Sequence, residues 1–174
     1  GSKGIEVKNR GAIPMGQKAQ FGKNTDKKFI QDAISAVNLK LDNPIQVETK
    51  GKRPLHRLNI ILAAVAEQES DKIDVAIDAM DNALRSNYPG LDFSDFNLKK
   101  YKKGNAIDAD AAEQAFSKKV IKLYTETEEF EEIFFLDDKS GNYAIVPADK
   151  LVDAVGSKIS IYMKDGLPRF SYNF

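Results

Sequence analysis

The sequence predicts an α+β fold: a helical core with β-hairpins and a small C-terminal α–β extension. Three observations carry this. Apolar residues recur at helical spacing through three segments between Thr25 and Ser86. Two apolar runs, Phe130 to Leu136 and Asn142 to Val146, flank the turn Asp137-Asp138-Lys139-Ser140-Gly141. That is a hairpin signal, with Gly141 at the positive-φ position. Two further strand-like stretches, Ile159–Met163 and Arg169–Phe174, enclose the turn Lys164-Asp165-Gly166-Leu167-Pro168.

Taken in order, residues 3–24 hold Gly4, Gly11, Pro14, Gly16 and Gly22 among Lys, Arg, Gln and Asn. They read as a flexible basic arm (residues 1–24) with a short strand at Ile5–Val7. Gly1-Ser2 reads as the scar of a cleaved expression tag. Thr25 or Asp26 caps a first helix. Its apolar face is Phe29, Ile30, Ala33, Ile34, Val37 and Leu41, and Asp42-Asn43-Pro44 breaks it. Ile45–Thr49 is a strand candidate, followed by the basic turn Lys50-Gly51-Lys52-Arg53-Pro54.

Pro54 suits the first position of a second helix, with Leu55, Leu58, Ile61, Leu62 and Val65 buried. A third helix runs from Ile73 to Ser86 and is ended by Asn87-Tyr88-Pro89-Gly90. Leu91 to Leu98 reads as a turn and a short helix beginning at Ser94. Asp108 or Asp110 caps a long helix through Ala111, Phe116, Val120 and Tyr124, whose acidic first turn suits the helix dipole. Pro147-Ala148-Asp149 opens a short helix closed by Gly156. The domain expectation is therefore one mainly helical α+β domain over residues 25–156, with a hairpin over residues 157–174 packed on it.

The 174 residues include no cysteine. That excludes disulfides, thiolate metal sites and cysteine nucleophiles, and suits a reducing, cytoplasmic setting. No apolar run approaches the ~18 residues that a membrane span needs. The charge sums to zero but is segregated. Residues 1–57 carry 12 Lys/Arg against 5 Asp/Glu, and residues 104–138 carry 3 against 10. Such asymmetry points either to an acidic partner or to an internal match of charges.

No catalytic constellation is legible. His56 is the one histidine; alone it makes neither a two-histidine metal site nor a nucleophile–base pair, and it reads as a solvent-facing or capping residue. Glu126, Glu128, Glu129, Glu131 and Glu132 read as a solvated acidic helix end. Asp137 to Asn142 lacks the spacing of a calcium loop, and no glycine-rich phosphate loop is present. No cofactor is expected.

The basic segments are more informative. Arg53 and Arg57, with Lys50 and Lys52, bracket a helix start. Lys99, Lys100, Lys102 and Lys103 surround Tyr101. Cations around an aromatic contact phosphates and stack a base.

From Leu58 onward, two apolar-striped helices are followed by Ser86-Asn87-Tyr88-Pro89-Gly90-Leu91-Asp92 and by Phe96-Asn97-Leu98-Lys99-Lys100-Tyr101. The hairpin from Phe134 to Val146 then carries Ser140-Gly141-Asn142-Tyr143 at and after its tip. Over about residues 55–147 this order resembles the LOTUS (OST-HTH) domain, a small winged helix. The chain departs from that family at Phe96-Asn97-Leu98, where a glycine between aromatics is usual, and by an extra acidic helical segment from about Asn105 to Lys118. The resemblance implies a winged-helix arrangement, and RNA binding or docking to a protein.

The first expectation is thus a non-catalytic nucleic-acid-binding module, with RNA favoured. Lys99, Lys100, Lys102 and Lys103 would neutralise phosphates, Tyr101 would stack, and Lys139 at the hairpin tip would touch the backbone. The alternative is a protein-interaction module. It would use the Glu126–Glu132 end, or the C-terminal strand Phe170-Ser171-Tyr172-Asn173-Phe174 as an unpaired edge.

Overall fold

In the computed structural model, the described residues are 4–9, 13–14, 24–51, 53–127, 130–164 and 167–174. Lys52, Glu128, Glu129, Asp165, Gly166 and most of the segment read as an arm lie outside them. The fold is α+β, as expected. The chain divides into two compact units. One comprises residues 22–113, the other residues 1–21 with 114–174. This differs from the expected single domain over residues 25–156. Part of the segment read as an arm supplies strands to the second unit.

The helical unit is built on α1 (Thr25–Asn38), α2 (Pro54–Gln68) and α3 (Ile73–Asn87). Their apolar stripes close on each other: Phe29, Ala33 and Val37 from α1, Leu58, Ile61, Leu62 and Val65 from α2, and Ala76, Ile77 and Met80 from α3 are all fully buried. Pro54 takes the first position of α2, where its missing N–H costs nothing. Asp26 does not cap α1. It is buried and accepts a 2.5 Å hydrogen bond from the Tyr88 hydroxyl, while the Tyr88 ring meets Phe29 edge-on at 5.8 Å.

Ile45–Thr49 is not a strand. The Asn38 side chain takes the place of a neighbouring strand: its Oδ1 accepts from Ile45 N at 2.8 Å and its Nδ2 donates to Ile45 O at 3.2 Å. One side-chain amide satisfies the backbone of this buried isoleucine, so no ladder is needed. After α3 the chain makes a turn and a short 3-10 helix, Leu98–Tyr101. A two-residue antiparallel pair follows, β3 (Lys102–Lys103) with β4 (Ala106–Ile107). The Asp108 side chain then accepts from Ala111 N at 3.2 Å and caps α4 (Ala109–Thr127).

The second unit contains two three-stranded sheets. β1 (Gly4–Asn9) runs parallel to β5 (Phe130–Leu136), and β5 pairs antiparallel with β6 (Tyr143–Pro147), giving the order β1-β5-β6. The other sheet has the order β2-β8-β7, from β2 (Ile13–Pro14), β7 (Ile159–Lys164) and β8 (Leu167–Tyr172). The C-terminal strand is therefore central and not an unpaired edge. It pairs with β7 along its length and with β2 at Arg169 and Phe170. Between β6 and β7 a short helix, α5 (Leu151–Ala154), ends at Gly156, whose φ is 89°. The Gln114 amide crosses so close to Gly156 that any side chain there would collide with it. The hairpin expected as a wing thus belongs to a sheet, in a different unit from the three helices.

Candidate functional site

The lysine-rich turn is set by α3. Asp81 is buried; its Oδ1 accepts from Leu98 N at 2.9 Å and its Oδ2 accepts from Arg85 Nε at 2.7 Å. Arg85 in turn donates to the carbonyls of Phe93 and Phe96. One carboxylate and one guanidinium thereby satisfy the backbone of a segment that has no sheet or helix of its own.

The lysines that follow turn back onto carboxylates of the same unit. Lys99 Nζ lies 2.8 Å from Asp78, Lys102 Nζ 2.7 Å from Asp74, and Lys103 Nζ 3.2 Å from Asp108. Asp74 and Asp78 are one turn apart on α3 and form an acidic ledge for the turn. Lys100 Nζ donates to the carbonyl of Asp95 at 3.1 Å. The pairing shows in the acidities. The hydrogen bond that Lys99 donates to Asp78 raises Lys99 above its ordinary value, and the one Lys102 donates to Asp74 lowers Asp74. The Ala111 amide, then Lys103, lowers Asp108.

Tyr101 is half-buried with its ring tilted 37° against Phe96 at 5.8 Å. Burial, then Asp95, raises its phenol. Arg57 is tied to Thr49, donating to Oγ1 at 2.9 Å and to the carbonyl at 3.1 Å. Arg53 Nη1 lies 3.5 Å from Glu113. Lys139 stands exposed on the β5–β6 turn, in the other unit. Sequence reasoning saw the cations but not their partners. The spacing of Asp74, Asp78 and Asp81 along α3 is the signal in the sequence that points to them.

The β5–β6 hairpin presents a different surface. One face is sealed: Ile133 and Phe135 are fully buried, and Val146 is nearly so. Phe135 meets the Tyr172 ring of β8 at 5.3 Å. On the other face the register sets Phe134 against Ile145 and Leu136 against Tyr143. There the Phe134 and Tyr143 rings stack at 5.4 Å, and Tyr143 is 64% and Ile145 50% exposed. Among the described residues β6 is an edge strand of its sheet.

Antiparallel strands with one face in water alternate apolar and polar residues. These do not: Ile133-Phe134-Phe135-Leu136 and Tyr143-Ala144-Ile145-Val146 are apolar on both faces. That pattern belongs to a sheet covered on both sides, and the sequence itself displays it. Glu132 stands opposite Pro147 on this face, and Asp138 and Lys139 are exposed on the turn between the strands.

Among the described residues no group of His, Cys, Asp or Glu is arranged to hold a metal ion, and no helix is long and apolar enough to cross a membrane. A scan against protein-family models, a search of curated proteins and a search of solved structures each return no match.

Proposed function

We propose that this chain is a non-catalytic protein-interaction module that takes up an extended segment of a partner along β6. The observation that carries the reading is a hairpin apolar on both faces with one face open, at Tyr143 and Ile145, beside an edge strand. An added strand would satisfy the free N–H and C=O groups of β6 and lay its alternate side chains beside Ile145 and Tyr143. Glu132, on the same face as Phe134, favours a partner strand with apolar alternate residues and a basic flank.

The test uses a synthetic peptide of alternating valine and threonine with lysines at both ends, titrated into the full chain. Binding lost in Ile145→Lys, with thermal stability retained, supports the reading. Absence of binding, or binding indifferent to that substitution, overturns it.

A second reading is nucleic-acid binding, with RNA favoured by the LOTUS-like order of parts. It is supported by Lys99, Lys100, Lys102 and Lys103 following one another on a single turn, where exposed ion pairs are worth only about 0–1 kcal/mol and can yield to phosphate. Tyr101, Arg53 and Arg57 of the same unit would complete it. Affinity for single-stranded RNA should then fall with salt, with a log–log slope of several units. Undetectable binding at low salt ends this reading.

A further inference from the structure

The first turns of α2 and α4 meet at a cluster of charges. Arg53 and His56 stand at the start of α2, Asp110 and Glu113 at the start of α4. His56 Nε2 lies 2.7 Å from Asp110 Oδ1, and His56 Nδ1 lies 3.0 Å from Glu113 Oε2. Asp110 is 84% exposed, whereas the Glu113 side chain is only 10% exposed. Nδ1 and Oε2 are both buried, and despite their closeness they form no aligned hydrogen bond. His56 is thus only partly solvent-facing, its side chain 36% exposed, and carboxylates flank both of its ring nitrogens.

A neutral imidazole has one N–H and one lone pair. With the proton on Nε2, the Nδ1 lone pair opposes the Glu113 oxygen; with the proton on Nδ1, the Nε2 lone pair opposes Asp110. Two states remove the conflict. Either an imidazolium sits between two carboxylates, or a neutral imidazole sits beside a protonated Glu113. Each holds one proton more than a neutral ring with two carboxylates. Burial raises the Glu113 carboxyl above its ordinary value, and Asp110 adds to this, against the pull of Arg53 and His56. Neither remaining neighbour replaces the proton's charge, because Arg57 is held by Thr49 and Lys103 by Asp108.

We propose that His56, Asp110 and Glu113 are a proton-operated clamp. It fastens the first turn of α4 to that of α2 while the cluster holds its extra proton, and releases it when the proton leaves. Groups in such close contact exchange protons as one unit. Burial raises the Glu113 carboxyl, so folding favours the added proton; the clamp is firm at low pH and weakens as pH rises.

Amide hydrogen exchange on the full chain, corrected for the intrinsic rate, reads the clamp at Ala112 and Glu113. Protection should fall at least about threefold between about pH 5.5 and about pH 8, while Leu62 in the middle of α2 keeps its protection. Glu113→Gln and Asp110→Asn each let a neutral imidazole satisfy both neighbours, so the fall should shrink or vanish in both. Asp110→Asn lies at an exposed position and leaves the core intact. Equal protection at the two pH values in the parent chain overturns the clamp. So does a fall that persists in both variants, or one shared equally by Leu62.

Discussion

The Tyr88 hydroxyl donates a 2.5 Å hydrogen bond to the Asp26 carboxylate, joining the residue just past α3 to the first turn of α1 inside the helical core. Burial first, and Asp26 second, push the phenol far above its ordinary acidity, so it stays a donor throughout the stable range. Tyr88→Phe takes a donor from a buried carboxylate and should cost about 1–3 kcal/mol in urea unfolding. Asp26→Asn, which removes the charge but keeps an acceptor, should cost less. An equal loss in the two variants would mean that the charge of Asp26 matters more than this bond.

Asp81 serves both Arg85 and the backbone of Leu98. Asp81→Ala should therefore loosen the segment from Phe93 to Tyr101 as one piece. The expected loss is about 2 kcal/mol of stability, with Leu98 N exchanging as fast as the exposed turn. Protection of Leu98 unchanged in the variant would contradict the pinning role.

Three carboxyls of the helical unit lie below their ordinary values: Asp32 beside Lys28, Asp74 beside Lys102, and Asp108 beneath the Ala111 amide and Lys103. A lowered carboxyl contributes stability that is fully present above its ordinary value near about 4 and is lost as pH falls through the lowered value. Lys102→Met should thus lower stability slightly at neutral pH and leave it unchanged once pH has fallen below the lowered value. Carbon-detected titration of Asp74 should shift upward in the same variant.

Gly141 sits in the β5–β6 turn at φ 77°, with open space where a Cβ would project. The cost of Gly141→Ala is then purely conformational, about 1–2 kcal/mol. It should appear in thermal unfolding without any rearrangement of neighbouring side chains. Gly141→Asn, which tolerates the left-handed region better, should recover part of the loss.

The elements that local chemistry governs were readable. Pro54 begins α2, Asp108 caps α4, and the β5–β6 hairpin forms around Gly141, because each depends on residues within a few positions. What failed depends on partners that no local pattern of spacing reveals. Ile45–Thr49 has strand composition, yet an asparagine side chain at position 38 supplies its pairing. The residues 3–24 segment has the composition of a free arm, yet β1 finds a parallel partner in β5 that no local pattern announces. The same holds for the candidate sites. Lys99 and Lys102 look like free cations until α3 brings Asp78 and Asp74 beneath them.

The parallel pairing of β1 with β5 also dictates an order of events. The helical unit is continuous in the chain and rich in local contacts, so on a ribosome it can fold as soon as residue 113 has emerged. The sheet unit is discontinuous, and β1 cannot be sequestered until β5 is synthesised. During that interval an unpaired Gly4–Asn9 segment is the portion of the newborn chain most open to capture by chaperones, or by the β5 strand of another copy.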